Sequence, residues 1–274
     1  MKTIVITGAT SGIGNLLTKT FVELGCVVFA GYRNKDLKPE LEQISENVIP
    51  FYINMSKRET VLQAASFILN KTDKIDTLIN AAGCVFVGPM ECLAVDKIRE
   101  QFEINTFSHL ELTQGLFPKL QGGKVINISS MASFGIFPFI APYCASKRAL
   151  DILFNSMQME CAKDIKVISI KPGVIKTPLW AKSVEINQDA LGENKKYEKE
   201  FDFLMKNAKN NTHKGLDTQK VVDFIVKVEG LKNPKPSYTV GLDAKFAEIF
   251  SHLPQGWINF VIKKTFNARM TKLL

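Results

Sequence analysis

The first 14 residues restrict the fold more than any other stretch, because a short β-branched run leads directly into a glycine-rich turn. Residues 2–7 have the composition of a buried parallel strand, and Gly8, Gly12 and Gly14 follow at once. In a βα unit that binds a dinucleotide, such glycines permit a tight turn, close approach of backbone to phosphate, and close packing of helix on strand. We therefore expect a helix through Leu24 with a pyrophosphate at its N-terminus, where unpaired N–H groups and the helix dipole favour anions. An ordinary βα connection is the alternative.

The end of the predicted second strand, residues 27–31, indicates which nicotinamide cofactor is bound. An acid at this point would hold the adenosine ribose and repel a 2′-phosphate, but the chain continues Tyr32-Arg33-Asn34. The guanidinium of Arg33 could hold that phosphate and stack on adenine, with Ser11 as a second phosphate contact. The sequence therefore predicts NADP(H), and an unrelated surface arginine is the alternative.

Tyr143 and Lys147 form the clearest candidate for chemistry. Because Pro142 suits the first turn of a helix, the two side chains are predicted to project from one helix face, one turn apart. Nearby positive charge favours the ionised form of a phenol, whose free pKa is about 10. The pairing predicts a tyrosine that exchanges protons near neutrality, and a solvated helix face is the alternative.

Further strands are predicted at residues 48–53, 75–79, 123–128 and 166–170, with a last edge strand at 238–241. A third helix is predicted to start from a Ser56 cap, and a long helix at 93–117 carries Asn105. Small or polar residues follow the strands, where open parallel sheets bind their ligands.

Together these stretches resemble the short-chain dehydrogenase/reductase family, in its branch with roughly 250-residue subunits and a Thr-Gly-x-x-x-Gly-x-Gly fingerprint. The resemblance covers residues 2–177 and has two departures. Asn54 stands where the family commonly has an aspartate near adenine, and Ala81 stands where a second asparagine is frequent. The matching elements are residues 7–14, residues 80–83, Asn105, Ser130, residues 143–147 and residues 172–177.

The resemblance implies an α/β fold with a Rossmann, doubly wound parallel sheet. The length of 274 residues suits one large α/β domain, which we expect to span residues 1–274, and two small domains are the alternative. The resemblance makes Tyr143 the general acid, which hands its proton to a carbonyl oxygen as hydride arrives from the nicotinamide. Lys147 would lower the tyrosine pKa and bind the nicotinamide ribose, Ser130 would polarise the substrate oxygen, and Asn105 would hold a water. The residues expected at the cofactor are Gly8, Thr10, Ser11, Gly12, Ile13, Gly14, Tyr32, Arg33, Asn34, Asn54, Met55, Asn80, Ala81, Ala82, Gly83, Tyr143, Lys147, Pro172, Gly173, Val174, Ile175 and Thr177.

The predicted substrate pocket is apolar. Residues 134–140 are rich in phenylalanine and isoleucine, and residues 178–215 would form a mobile lid in this family. Gly88-Pro89 and the extended tail loosely resemble members that act on hydroxysteroids, retinoids or other lipid-like compounds. The alternative for these apolar residues is that they pack in the core or in a dimer interface. The candidate substrate contacts are Ser130, Val85, Phe86, Phe137, Phe139, Leu179 and Trp180.

The tail, residues 243–274, is predicted to be a helical extension. Its apolar residues recur at three- and four-residue steps, with basic residues between them, as in a basic amphipathic helix. Packing on the body or another subunit is one interpretation, and lying on an anionic membrane is the other. The apolar set is Trp257, Val261, Ile262, Phe266 and Met270, and the basic set is Lys263, Lys264, Arg269 and Lys272.

Composition narrows the function classes. The net charge is +8, but the lysines are spread along the chain without a basic stripe, which argues against nucleic-acid binding. Five cysteines without a Cys-x-x-Cys spacing argue against a disulfide framework or a zinc site, so we expect no metal and a cytoplasmic protein. We expect neither a signal peptide nor a transmembrane span.

The leading hypothesis is an NADP(H)-dependent oxidoreductase acting on a hydrophobic ketone, aldehyde or alcohol. A 3-oxoacyl-(carrier protein) reductase is the alternative suggested by the positive charge. A dinucleotide-binding sensor or scaffold without turnover is the alternative from another class. Family members commonly form homodimers or homotetramers, so we expect an oligomer here.

Overall fold

The structure, a computed structural model, describes residues 1–161, 163–177, 179, 180, 183, 187 and 195–271, with only the backbone described at 195, 208–214 and 267–271. Its centre is a parallel sheet of seven strands in the order β3-β2-β1-β4-β5-β6-β7. The chain moves outward from β1 to β3, then returns to β1's other side with β4. This is the doubly wound arrangement that the sequence predicted, and such sheets bind ligands where the order reverses. The strands are β1 Thr3–Ile6, β2 Val27–Tyr32, β3 Val48–Tyr52, β4 Thr77–Asn80, β5 Lys124–Ile128, β6 Lys166–Pro172 and β7 Ser237–Val240.

Helices cover both faces of the sheet, because alternate strand residues point to opposite sides. Ile4 and Ile6 face buried side chains of α1 and α8, whereas Val5 faces those of α3, α5 and α6. The helices are α1 Gly12–Glu23, α2 Lys38–Glu42, α3 Arg58–Leu69, α4 Val95–Phe102, α5 Ser108–Leu116, α6 Ala141–Glu160, α7 Glu198–Lys214, α8 Thr218–Gly230, α9 Leu242–Phe250 and α10 Gln255–Thr271.

Several predicted boundaries differ from the structure by one or two residues, and three differences concern the region of the candidate site. The helix expected at 93–117 is two helices, α4 and α5, joined by a π-helical turn at Glu103–Phe107 that carries Asn105. Such turns are rare in proteins, and those that occur are often at functional sites. Helix α3 begins at Arg58 rather than from a Ser56 cap. Strand β6 extends to Pro172, so this proline lies within the strand.

The predicted C-terminal extension is helical and packs on the body of the protein. Ile258 of α10 is buried, and the ring of Phe266 stacks on Phe139 at a centroid distance of 5.7 Å. The predicted apolar face is divided, however, because Trp257 is exposed while Phe266 packs inward. Met270 and Arg269 have no described side chains, and Lys272 lies outside the described residues. Within the described part of the chain, no helix is long and apolar enough to span a bilayer.

Candidate active site

The turn after β1 has the geometry that its glycines predict. Gly8 and Gly12 have φ values of +70° and +54°, in the left-handed region that favours glycine. A Cβ on Gly8 would lie 3.0 Å from the Cα of Ala82, and a Cβ on Gly14 would lie 2.2 Å from the carbonyl oxygen of Gly8. The start of α1 is therefore packed directly on the turn, and the turn on the loop after β4.

The N-terminus of α1 is open to an anion. Its N-cap residue, Ser11, is exposed and makes no side-chain capping hydrogen bond, and the first turn contains no acid. Thr10 and Ile13 are half-buried on either side. Unpaired N–H groups at a helix start, with an uncompensated dipole, suit a phosphate. The residues present therefore fit the pyrophosphate of a dinucleotide.

The residues after β2 leave Arg33 at the surface of the carboxyl edge. The half-buried ring of Tyr32 packs edge-on against Tyr52 at 5.9 Å. The Oδ1 atom of Asn34 accepts a hydrogen bond from the amide of Asp36 at 3.1 Å, which caps a short 3-10 turn. Asn34 is thus a structural cap, whereas the exposed Arg33 is the side chain that can reach a ligand.

Asn54 caps its own turn in this structure. Its Oδ1 accepts hydrogen bonds from the amide and the hydroxyl of Ser56, at 3.1 and 2.9 Å. The Ser56 hydroxyl is therefore hydrogen-bonded to Asn54, and α3 begins at Arg58 without a cap from Ser56. Met55 is buried in the core, so only its backbone is available at the sheet edge. An adenine contact of Asn54 stays a prediction.

The loop after β4 is held against the glycine-rich turn by Thr7. The Thr7 hydroxyl accepts hydrogen bonds from the amides of Ala81 and Ala82, at 3.0 and 3.1 Å. The side chain of Asn80 points into the sheet instead, where its Nδ2 donates to the Oδ1 of Asn127 at 2.8 Å. Any cofactor contact of Asn80 would therefore use its backbone.

His109, which the sequence did not single out, fixes the same loop from behind. Its Nε2 lies 2.9 Å from the carbonyl oxygen of Ala82. Since a carbonyl only accepts, the proton sits on Nε2. Burial, and the charge of Lys147, lower the pKa of His109 to about 3, so the ring is neutral at physiological pH.

Asn105 lies on the π-helical turn and braces the backbone of Cys84. Its Oδ1 accepts from the Cys84 amide at 2.9 Å, and its Nδ2 donates to the Cys84 carbonyl and to the Ser146 hydroxyl, both at 3.0 Å. A Cβ on Gly83 would lie 3.3 Å from Asn105 Oδ1 and 3.6 Å from Lys147 Nζ. Asn105 and Lys147 thus meet at Gly83, and the predicted water contact of Asn105 stays a prediction.

Lys147 lies on α6 with its ammonium group buried behind the end of β5. Its Nζ donates to the carbonyl oxygen of Ile128 at 2.8 Å. Burial lowers the pKa of Lys147 to about 8, and the charge of Asp151 opposes that shift. The group is therefore mostly protonated at neutral pH.

Tyr143 occupies the first turn of α6, as its position after Pro142 predicted, and is buried. Burial raises its pKa to about 12, and a hydrogen bond from Ser130 opposes the shift. The expected net lowering of this pKa is wrong for the structure, because the loss of hydration outweighs the favourable contacts. The Ser130 hydroxyl also accepts from the Ala132 amide at 3.1 Å, which holds it at the end of β5.

A buried ion pair behind Lys147 was also missed by the sequence analysis. The Lys171 ammonium lies 3.2 Å from Asp151 Oδ2, with side chains that are 8% and 2% exposed. The same ammonium lies 4.6 Å from the ring centroid of Phe134. Asp151 is one helical turn beyond Lys147, so it places a negative charge behind the candidate catalytic lysine.

The loop after β6 is held from both sides. The Asp243 carboxylate, at the start of α9, accepts from the Val174 amide at 2.8 Å and lies where a Gly173 side chain would be. On the other side, Ile175 bridges to Leu216. Asp243 has no sequence signal, because the contact joins residues 69 positions apart.

The loop after β6 also faces the glycine-rich turn. Thr177 is buried, and a Cβ on Gly12 would lie 3.6 Å from the Thr177 Cβ. The structure therefore brings together the stretches predicted at residues 8–14, 80–83 and 172–177 around one edge of the sheet. The Tyr143 and Lys147 side chains lie at the same edge.

An apolar cluster adjoins Tyr143 and contains most of the predicted substrate contacts. Trp180 packs edge-on to Tyr143, with ring centroids 6.2 Å apart. Phe86 is separate from it, because its ring lies under the Lys97 ammonium at 5.1 Å. Predicted members of the cluster are Val85, Phe137, Phe139, Leu179 and Trp180. Members that the sequence analysis missed are Val87, Ala132, Cys144, Tyr197, Phe201, Leu204 and Met205.

The predicted lid region, residues 178–215, lies partly outside the described residues. Its described part contains α7, which turns the buried Phe201 toward the apolar cluster. Although this interval is mostly polar in sequence, Phe201, Leu204 and Met205 form an apolar row on the side that packs on the cluster. Across the residues that the structure describes, no group of three or more His, Cys, Asp or Glu side chains could hold a metal ion.

Comparison with known proteins finds relatives over nearly the whole chain. An uncharacterised oxidoreductase, YusZ, of Bacillus subtilis is 26% identical and covers 97% of this chain and 99% of its own. A 3-ketodihydrosphingosine reductase of Bacteroides thetaiotaomicron is 28% identical, over 95% and 96% of the two chains. An NADPH-dependent 3-dehydrocapnine reductase of Ornithobacterium rhinotracheale is 31% identical, over 67% and 69%.

Solved structures share the fold. A short-chain dehydrogenase from Burkholderia cenocepacia in complex with NADP has a TM-score of 0.75 at 23% identity, over 96% of this chain and 99% of its own. A relative from Burkholderia phymatum in complex with NAD has a TM-score of 0.76 at 18% identity, over 86% and 88%. The model of the short-chain dehydrogenase family matches residues 2–188. The chain therefore belongs to the short-chain dehydrogenase family of oxidoreductases.

Proposed function

We propose that the protein is an NADP(H)-dependent reductase of hydrophobic, lipid-like ketones or aldehydes, which also acts on the corresponding alcohols in reverse. The observation that carries the proposal is the position of Tyr143. Its phenol is buried between Ser130 and an apolar cluster, at the sheet edge where the glycine-rich turn is open to a phosphate.

In the proposed mechanism, the nicotinamide supplies the hydride that reaches the carbonyl carbon. Tyr143 Oη donates its proton to the carbonyl oxygen as negative charge develops there. With a pKa of about 12, this phenol is protonated at neutral pH, which is the state that a proton donor in reduction requires. The Ser130 hydroxyl donates a second hydrogen bond to the same oxygen and polarises it.

Lys147 supports the proton donor after the transfer. Its buried ammonium lies on the same helix face, one turn from Tyr143, and stabilises the phenolate that remains. The cost of a buried ammonium is offset by the Ile128 carbonyl and by Asp151. Asn105 fixes the backbone beside this ammonium, which keeps the group in place.

The preference for NADP(H) rests on Arg33. This arginine is exposed at the end of β2, where no acid is present to repel a 2′-phosphate. Ser11 has an uncommitted hydroxyl at the start of α1. One relative is named as NADPH-dependent, whereas solved relatives hold NADP or NAD.

The preference for a lipid-like substrate rests on the apolar cluster. Trp180 packs against the ring of Tyr143, and Phe139 and Tyr197 belong to the same cluster; pockets of this kind select apolar ligands through burial. Two relatives are named for the reduction of 3-ketodihydrosphingosine and 3-dehydrocapnine, which supports a ketone on a long-chain compound. We further propose a homo-oligomer working in the cytoplasm, where the thiols of cysteines are normally kept reduced.

The test is NADPH oxidation against long-chain 3-ketones, steroid ketones, retinal, 3-oxoacyl carrier-protein thioesters and a small hydrophilic ketone. We expect the long-chain or steroid ketones to have a kcat/KM at least about tenfold above that of the hydrophilic ketone. Turnover confined to the carrier-protein thioester, and weakened by salt, would favour the acyl reductase. Tight NADPH binding without turnover on any compound would favour a sensor.

A further inference from the structure

The last two described helices expose unusually apolar surface. On α9, Leu242, Phe246 and Ile249 are 85%, 70% and 72% exposed. They are spaced by four and three residues and therefore share one side of the helix. The buried residue of α9, Ala244, lies on the opposite side. This helix packs on the protein through a small residue and turns its large apolar side chains outward.

Helix α10 is apolar on two opposite sides. Ile258 and Phe266 pack inward, whereas Trp257 and Phe260 are 67% and 61% exposed, with Val261 beside them at 36%. On a helical wheel, with 3.6 residues per turn, the centres of the inward and outward rows lie about 150° apart. A surface helix normally turns polar residues outward. The outward side of α10 instead exposes two aromatic rings, with Lys264 as their charged neighbour.

Positive charge accompanies this apolar surface. Lys245, Lys263 and Lys264 are exposed on the same two helices, and the Lys264 ammonium lies 6.0 Å from the ring centroid of Phe260. After Glu248 the sequence contains no acid, while it contains four basic residues up to its end. The C-terminal stretch thus combines exposed aromatic rings with uncompensated cations.

We propose that the α9–α10 face, formed by Leu242, Phe246, Ile249, Trp257, Phe260 and Val261, binds the surface of an anionic lipid bilayer. Aromatic and aliphatic side chains enter the boundary between headgroups and acyl chains, while lysines contact acidic headgroups. A second copy of the chain fits less well. In a two-fold interface built on α10, Lys263 and Lys264 of one copy would lie near those of the other, and this helix contains no acid to neutralise them.

The position of α10 connects this face to the apolar cluster beside Tyr143. Phe266, on the inward row, stacks on Phe139 at 5.7 Å, and Phe139 packs edge-on to Tyr197 at 5.9 Å. A bilayer bound at the outward row would therefore lie one helix diameter from the apolar cluster beside Tyr143. Loading of a lipid ketone from the bilayer follows from this geometry, and this consequence rests on the proposed function.

The test is co-sedimentation of the full chain with phosphatidylcholine vesicles, with and without phosphatidylserine. We expect binding to the phosphatidylserine vesicles that falls at least about tenfold in the variant Phe246→Ser/Phe260→Ser. The matched control, Phe67→Ser/Met159→Ser, removes exposed apolar side chains from α3 and α6 and should bind as the wild type does.

Charge reversal provides the second arm. Lys263→Glu/Lys264→Glu should weaken binding at least about tenfold, whereas Lys220→Glu/Lys227→Glu on α8 carries the same charge change and should have little effect. Near-ultraviolet circular dichroism checks that each variant is folded.

Three results would overturn the inference. One is the absence of binding to anionic vesicles, and another is equal loss in the control variants. The third is dissociation of a solution oligomer by Phe246→Ser/Phe260→Ser without any vesicle binding, which would assign the face to a second copy. Turnover of a soluble ketone is measured in parallel. Vesicle binding without turnover would reject the proposed function alone, and turnover without vesicle binding would reject this inference alone.

Discussion

Replacing Asp151 by asparagine tests whether the buried ion pair behind Lys147 contributes to the site. The substitution keeps the shape of the side chain but removes its charge, and leaves the Lys171 ammonium buried. At 3.2 Å and an effective dielectric constant of about 20, the lost attraction is about 5 kcal/mol. The ring of Phe134, 4.6 Å from the ammonium, is present in both proteins and does not change this difference.

We therefore expect Asp151→Asn to lower the free energy of unfolding by about 3 to 5 kcal/mol, the usual cost when one partner of a buried pair is removed and the other charge stays buried. Urea denaturation followed by circular dichroism measures this change. Asp96→Asn is the matched control, because its pair with Arg99 is shorter, 2.7 Å, but 91% and 74% exposed. We expect little change there.

A double variant separates the charge from the packing. Asp151→Leu/Lys171→Met removes both charges and should recover most of the stability lost in the single variant. A loss below about 1 kcal/mol in Asp151→Asn, or a double variant no more stable than the single one, would refute the reasoning. In active protein, loss of the Asp151 charge should lower the pKa of Lys147 below about 8 and shift the alkaline limb of kcat/KM to lower pH.

Three further predictions concern the cofactor edge. Gly14→Ala would place a Cβ 2.2 Å from the carbonyl oxygen of Gly8, so we expect calorimetry to show loss of NADPH binding. Gly230→Ala is the control, because its Cβ would have no atom within 4 Å, and it should bind NADPH normally. Normal NADPH binding by Gly14→Ala would contradict the close packing of α1 on the turn. Arg33→Ala should weaken NADPH at least about tenfold more than NADH in fluorescence titrations, and equal effects would refute a phosphate contact. His109 takes up a proton near pH 6.5 in the unfolded chain but only near pH 3 in the folded chain. The free energy of unfolding should therefore fall by about 1.4 kcal/mol per pH unit as the pH falls through this window. His109→Gln keeps a donor for Ala82 and should flatten that slope in urea titrations; an unchanged slope would contradict the assignment.

The parts of the fold that the sequence predicted are those with local signals. The β1 run and its glycines are contiguous, so their turn geometry could be inferred without any other part of the chain. The strands were found from short β-branched runs, with ends that differ by one or two residues. The π-helical turn at Glu103–Phe107 has no such signal, because an apolar repeat looks the same on either side of it.

The candidate site likewise contains residues that local spacing predicts and residues whose contacts depend on the tertiary structure. Tyr143 and Lys147 are four residues apart, and one helical turn brings them together. Asp243, by contrast, meets Val174 only after α9 has folded beside the loop that follows β6, and Lys171 meets Asp151 only after β6 has folded beside α6. The exposed side chains of α9 were also missed, since a helix pattern shows that apolar residues share a face but not whether that face is covered.

The pKa of Tyr143 shows the limit of spacing alone. A lysine one turn away favours the phenolate, but the extent of burial decides the balance, and burial follows from the tertiary structure. The spacing of Tyr143 and Lys147 therefore identifies the residue but not the direction of its pKa shift.

Tyr143→Phe tests the proposed chemistry most directly, because it removes one oxygen atom and leaves the ring packed against Trp180. Single-turnover NADPH oxidation with the best ketone from the panel, and NADPH affinity by fluorescence, are measured on the same protein. Tyr238→Phe, far along the sheet on β7, is the control for loss of a phenol. We expect the rate of Tyr143→Phe to fall about 10²- to 10⁴-fold with NADPH affinity nearly unchanged. Wild-type turnover by Tyr143→Phe would contradict its role as proton donor.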